Sequence, residues 1–389
     1  VTGTFAYEDA YMDRPSIKPN QMQLDNLRPE IVSSYNLGVE GAFLKNLIRF
    51  SFDYYNKETT DLIMENMAIQ STTGYSSVRR YNGGDVRNRG WEFSLSLNNI
   101  VKAGKFSLSL SNINLSRNVN EITSLPESMV AEKYTIGNGN YARKIMEGNP
   151  IGSIYGYIFE GVYQNYDETL ARDASGELIR DVNGNTVPIR VGGTTRMHPG
   201  DAKYKDINHD GVIDERDIVY LGSSFPTITG GGSLVLKYKG WQLRTSLHFR
   251  LGHSIVNKVR HDLENMNTGN NQSKNVLRRW RYEGDDTDVP RALWGVNYNS
   301  MGSSKFVEDG SFLKIKDITL SYRIPQSFCS KLGITNAMLS LTTYNLFTFT
   351  NYSGQDPEVG VGAGAYGLAI DSSRTPPSRR VAFNISFSF

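Results

Sequence analysis

With 389 residues the chain has room for two or three soluble domains or for one large all-β body. Its 42 Lys and Arg stand against 40 Asp and Glu, a balance that excludes a nucleic-acid binder, which needs a basic footprint to displace counterions. A single cysteine, Cys329, excludes an intramolecular disulfide and a cysteine zinc site. No apolar run approaches the ~20 residues of a membrane helix. The chain opens on Val1 with neither Met nor a signal peptide, as a processed form or a piece of a longer chain would.

Taken in chain order, strands are expected near 2–12, 31–43, 46–58, 89–99, 104–116, 142–152, 154–165, 229–239, 240–251, 309–324, 337–349 and 379–389. Several alternate apolar and polar residues with period two, the mark of a half-buried strand. Ile48, Phe50, Phe52 and Tyr54 share one face. Trp91, Phe93, Leu95 and Leu97 oppose Glu92, Ser94, Ser96 and Asn98, and Trp241, Leu243, Leu247 and Phe249 oppose Gln242, Arg244, His248 and Arg250. The last residues repeat the pattern with Val381, Phe383, Ile385, Phe387 and Phe389. These runs reach roughly 10 to 13 residues, longer than the ~5–6 of sandwich strands and long enough for a tilted membrane strand. The alternation breaks near Asn112-Ile113 and Lys316-Asp317, each either a β-bulge or a strand end placed elsewhere.

The connections alternate strictly in length. Short ones are expected at 44–45, 100–103, near 153, at 239–240 and at 325–336. Long ones are expected at 13–30, 59–88, 117–141, 166–228, 252–308 and 350–378. Antiparallel strands reverse at each connection, so all short turns gather at one end and all long loops at the other. That asymmetry belongs to an outer-membrane barrel, with tight periplasmic turns and long extracellular loops. The expected fold is therefore an all-β transmembrane antiparallel barrel.

Within the long loop 166–228 stands a calcium-type pattern over 206–217. Asp206, Asn208 and Asp210 take positions one, three and five, with Gly211 at six, the Val212 carbonyl at seven, Asp214 at nine and Asp217 at twelve. Asp217 replaces the usual Glu and reaches less easily as a bidentate ligand. The same residues also favour a solvated Asx-rich turn. A weak structural calcium on the outside would stiffen that loop where a partner or substrate docks. Gly362 to Gly367 matches G-x-G-x-x-G, but no amphipathic helix follows, so it reads as an external loop. His248 and His253 are five apart, on opposite faces, and do not suit joint metal ligation. Arg278, Arg279 and Arg281 around Trp280 read as a solvated basic face or as a contact for an anion. Tyr155, Tyr157 and Tyr163 suit an interfacial aromatic girdle or a stacking platform for sugars. No G-x-S-x-G, H-E-x-x-H or P-loop occurs, so no catalytic residue is assigned.

Several stretches together resemble the C-terminal barrel half of SusC/RagA-like TonB-dependent transporters. They are Leu27-Arg-Pro29-Glu30 with Tyr35-Asn-Leu-Gly38, then Asn88-Arg-Gly90-Trp-Glu92, then Gly200-Asp201-Ala-Lys-Tyr204-Lys-Asp206. Trp280, Pro290-Arg291 and the run Ser311 to Tyr322 follow in the same order. The resemblance implies a 22-stranded barrel of which this chain supplies about 12 strands. The plug, the TonB-contacting segment and the earlier strands would lie outside it, and Phe389 would be a terminal outer-membrane assembly signal. It further implies active, TonB-energised import of oligosaccharides or peptides across the outer membrane. The implied partners are a SusD-like surface lipoprotein, the TonB complex and the outer-membrane lipid, and no enzyme activity follows. The competing reading is a secreted, calcium-stapled β-sandwich adhesin or binding module. An outer-membrane barrel hydrolase lacks a candidate triad.

Overall fold

The computed structural model describes residues 4–11, 14–68, 75, 77–125, 139–142, 144–363 and 367–389. Nine long strands form one sheet: β1 (Ile31–Phe43), β2 (Ile48–Thr60), β3 (Asp85–Ala103), β4 (Phe106–Ser124), β5 (Ile228–Tyr238), β6 (Trp241–Leu251), β7 (Phe312–Arg323), β8 (Asn336–Thr350) and β9 (Arg380–Ser388). Each pairs antiparallel with the next in sequence, so the sheet is a plain meander from β1 to β9. The connections 44–47, 104–105, 239–240 and 324–335 gather at one end, and 61–84, 125–227, 252–311 and 351–379 at the other. Tight hairpins demand left-handed backbone, supplied by Gly104 (φ 59°) in one turn and by Lys239 (φ 54°) before Gly240 in another.

Cross-strand pairing carries each side-chain row straight across the wall. Leu108, Leu236, Leu243, Leu320, Leu341 and Phe383 form one row, and Ser107, Lys237, Gln242, Ser321, Ser340 and Asn384 form the neighbouring row on the opposite face. The apolar row faces no second layer: Leu320 is 41% and Phe383 64% exposed. A sandwich would cover that face with another sheet. Here it is a continuous apolar surface far larger than a soluble monomer leaves uncovered, as lipid requires. At the turn end the row Tyr238, Trp241 and Tyr322 is aromatic, with the Trp241 and Tyr322 rings 4.6 Å apart. From Trp241 to Leu251, ten steps at ~3.3 Å and a tilt of ~40° span roughly 25 Å, the height of an apolar membrane band.

Both breaks in the alternation are β-bulges. The register slips between Ser111 and Asn114, with Asn112 at φ 53°, and again between Ile315 and Asp317.

Three expected strands are not in the wall. The segment near 2–12 forms Thr4–Tyr11, which among the described residues pairs with Arg14–Gln21 in a separate hairpin. The 142–152 and 154–165 stretches belong to the long excursion 125–227, and of their residues Ser153–Gly156 and Phe159–Val162 form short strands outside the wall. Gly148, Gly152 and Gly161 have φ of 80°, 76° and 121°, which interrupts any long strand there. All four residues of Ser153–Gly156 are buried, whereas a wall strand must leave one face open. The chief apolar cluster of the molecule lies at this loop end, with Tyr155, Tyr157, Ala202, Tyr204, Ile213 and Ile218 buried together.

Candidate functional site

The loop excursions form a folded cap at one end of the wall, and a few long-range contacts position it. Asp201, fully buried, accepts from Arg291 Nε and Nη2 at 2.8 and 3.2 Å, from Asn299 Nδ2 at 3.2 Å and from the His198 N–H at 2.8 Å. Gly200 beside it has φ 86°, and a Cβ there would run into the Trp280 ring. The Met301 N–H donates to the Tyr204 hydroxyl at 3.1 Å. The Gly200-Asp201 and Pro290-Arg291 stretches, with Trp280, are thus one seam joining excursions 125–227 and 252–311. Sequence reading noted each stretch separately and missed the seam. The signals were a lone Asp after Gly and a lone Arg after Pro, about ninety residues apart.

The calcium-type loop wraps, as Gly211 at φ 79° permits. Asp206 accepts from the N–H groups of Asp210 and Gly211, Asn208 Nδ2 donates to Asp210 at 3.0 Å, and Asp210 accepts from the Val212 N–H. Asp217 is fully buried and spends both oxygens on the Ile207 and Asp214 N–H groups; burial pushes its carboxyl up. The Arg216 guanidinium reaches Asp210 and Asp214, each at 2.6 Å. Its hydrogen bond holds the Asp214 carboxyl below the usual carboxylate range. The oxygen donors have the chemistry calcium prefers, but in this arrangement they are satisfied from within. Among the described residues no group of three or more His, Cys, Asp or Glu side chains is placed to hold a metal ion.

The remaining sequence candidates fall as follows. Tyr155, Tyr157 and Tyr163 are at most 4% exposed, so they are neither girdle nor sugar platform; the girdle is the Tyr238, Trp241, Tyr322 row. Burial pushes the Tyr157 and Tyr163 phenols up. Arg278 bonds Asn275 and Asp288, Trp280 packs on Gly200, and the Arg281 N–H bonds Asp285. The basic run is therefore spent largely inside its own loop. His248 and His253 each stand edge-on to Phe312, with ring centroids 5.7 and 6.3 Å away. Of the glycine-rich match, residues 364–366 lie outside the described residues; the Gly362 N–H bonds Leu368 O across a local turn. Cys329 is buried, as expected of a small hydrophobe.

Where the cap meets the inner wall there is a cleft of about 770 Å³. The wall contributes Asn88, Asn118, Asn120 and Ser116, and excursion 125–227 contributes Tyr220 and Phe225. The amides bridge one another, with Asn120 Nδ2 donating to Asn88 Oδ1 at 2.9 Å and the Tyr55 hydroxyl to Asn118 Oδ1 at 3.1 Å. Arg89 and Glu121 add one charge of each sign, and such a lining of polar groups beside aromatic rings binds ligands without covalent chemistry.

A family model described as TonB dependent receptor-like, beta-barrel, matches residues 5–346. TonB-dependent receptor P3 of Formosa agariphila is 31% identical over 86% of this chain and 31% of its own length. TonB-dependent receptor SusC of Bacteroides thetaiotaomicron is 26% identical over 94% of this chain and 32% of its own. The chain thus spans about a third of the curated relatives it matches. Among solved structures, the RagAB peptide transporter superposes over 100% of this chain and 38% of its own, with a TM-score of 0.71 at 23% identity, a likeness of fold.

Proposed function

The chain belongs to the TonB-dependent receptor β-barrel family, as a SusC/RagA-like barrel portion, and from that premise we propose that it forms part of the wall and the extracellular cap of an active outer-membrane importer. The cargo class is oligosaccharides or peptides. Energy arrives through TonB by way of a plug outside this chain, and a SusD-like surface lipoprotein works with the cap. The observation that carries this reading is the two-faced wall, apolar and exposed outside, polar inside, with every long excursion at one end. Its work is binding, gating and conduction.

The relatives are named as TonB-dependent receptors and the RagAB structure is that of a peptide transporter, which supports import as the task. The polar cleft beside Tyr220 is where cargo entering past the cap would first meet the inner wall. We propose calcium in the 206–217 loop, on Asp206, Asn208, Asp210, Asp214, Asp217 and the Val212 carbonyl, only in exchange for Arg216, which must leave Asp210 and Asp214 to free their oxygens.

Epitope tags placed in the full-length protein test the orientation. Tags within 61–84, 125–227, 252–311 and 351–379 should be reached on intact cells, and tags in 104–105 and 324–335 only after permeabilisation. An intact-cell signal from 104–105 would sink the reading. Deleting the gene should abolish uptake of one class within a panel of labelled oligosaccharides and peptides, and unchanged uptake of the whole panel would remove the importer.

A further inference from the structure

Lys314 is 2% exposed although it projects from the polar face of β7, which a barrel turns to water. It stands opposite His248 on β6 and Thr348 on β8. The bulge between Ile315 and Asp317 leaves the next lysine, Lys316, out of the ladder, and its ammonium reaches the same neighbours. Bulges re-aim side chains in this way. A strap from excursion 351–379 covers Lys314 and pairs with Lys316, whose side chain stays 35% exposed. Lys314 Nζ donates to Asp356 Oδ1 and Oδ2 at 2.9 and 3.2 Å and to Glu358 Oε2 at 2.9 Å. Lys316 Nζ donates to both Glu358 oxygens at 2.8 Å.

The strap is held independently at its two sides. Val359 packs with Ile255, Tyr352 and Ala369, and the Tyr352 hydroxyl donates to Asp371 at 2.7 Å. Asp356 and Glu358 remain 16% and 26% exposed, so water and solutes reach the ion pairs. Without the strap, Lys314 and Lys316 stand on the inner wall with Arg244 and Arg250 on the neighbouring strand and the Asp317 carboxylate on their own. Such a local excess of cations attracts negative charge.

We propose that Lys314 and Lys316 form a carboxylate-binding site on the inner wall that the chain closes on itself, Asp356 and Glu358 serving as internal ligands that an incoming carboxylate replaces. The contacts within the strap are those a ligand carboxylate would make, one group shared between two ammonium ions. Displacement costs the strap its ionic hold and leaves the Val359 side anchored, so the segment swings from the mouth without unfolding the cap. The external carboxylate has two possible chemical sources, an acidic sugar or the C-terminus of a peptide. The site is defined by its own contacts and is testable whether or not transport is observed.

The test is lysine acetylation of the full-length protein in detergent, read by mass spectrometry, for the wild type and for D356N/E358Q. In the wild type Lys314 should react slower than the turn residue Lys239 by about tenfold or more, since a buried amine reacts only through local opening. In the double variant that protection should vanish. Trigalacturonate or trialanine should then restore it at both Lys314 and Lys316, while maltotriose and trialanine amide should not. Protection by trigalacturonate alone identifies an acidic sugar, by trialanine alone a peptide terminus, and by both a general carboxylate site. Fast wild-type acetylation of Lys314, persistent protection in the double variant, or no effect of either carboxylate would each overturn the proposal. If the double variant fails to reach the membrane, E358Q alone leaves Asp356 on Lys314 and is scored in the same way at Lys316.

Discussion

Placing an arginine on the outward face tests the wall most directly, because the cost must depend on depth. Leu247 lies on the apolar face opposite Ile315, with Phe347 next in the row. Six residues above the aromatic Trp241 row, at ~3.3 Å per residue and ~40° tilt, put it about 15 Å up a band roughly 25 Å tall, close to the midplane. Leu247→Arg should therefore cost about 2–4 kcal/mol, while Trp241→Arg at the interface should cost about 0–1 kcal/mol. Ser246→Arg, one residue away on the polar face beside Ser233 and Asp317, should be mild. The assay is outer-membrane yield together with urea unfolding in lipid vesicles, each variant against wild type. Equal losses for Leu247→Arg and Ser246→Arg would refute the two-faced wall. Equal losses for Leu247→Arg and Trp241→Arg would refute the placement of the apolar band.

Three further outcomes are expected. Burial alone would raise the Glu358 carboxyl, but hydrogen bonds from Lys316 and Lys314 override it and hold it down at about 2. A carboxyl lowered from about 4.5 stabilises the strap above that pH by at most about 3 kcal/mol, and the contribution is lost as pH falls towards 2. Hydrogen-exchange protection of amides 352–363, taken relative to the intrinsic rate at each pH, should fall through that window in wild type and not in E358Q; protection unchanged with pH would contradict the pairing. Asp201→Ala removes the carboxylate that Arg291 and Asn299 bond and, at about 3 kcal/mol for breaking a buried pair, should open 198–204 and 285–299 to protease while the wall keeps its heat resistance. Calcium binding to the 206–217 loop, followed by terbium luminescence, should be weak, with Kd of order 10⁻⁴–10⁻³ M, and should tighten in Arg216→Ala. Tight binding indifferent to that change would place the ion elsewhere.

The wall was legible in the sequence because it obeys local rules. Period-two alternation assigns each residue to a face, and no neighbour is needed to decide it. Trp241 to Leu251 and Arg380 to Ser388 came out within a residue or so of the expected bounds. The two places where alternation failed, at Asn112 and Lys316, are where the ladder itself slips. Loop parity was legible for the same reason, since an antiparallel meander leaves a connection no choice of end.

The cap was not legible. Residues 142–165 carry enough aromatic and aliphatic side chains to pass for wall strands, but Tyr155 and Tyr157 are buried by Ala202, Tyr204 and Ile218 from later in the chain. Arg216 turned the calcium-type pattern into an internally paired loop through a contact that the ligand spacing does not encode. Asp201 met Arg291, and Lys314 met Asp356 and Glu358, across separations that no periodicity spans. Sequence by itself determined the faces, the connection ends and the membrane class, because those follow from repeated steric and hydrophobic rules along one strand. Only the tertiary structure decided which charges pair and which aromatics are buried, because burial and ion pairing depend on which excursion folds over which part of the wall.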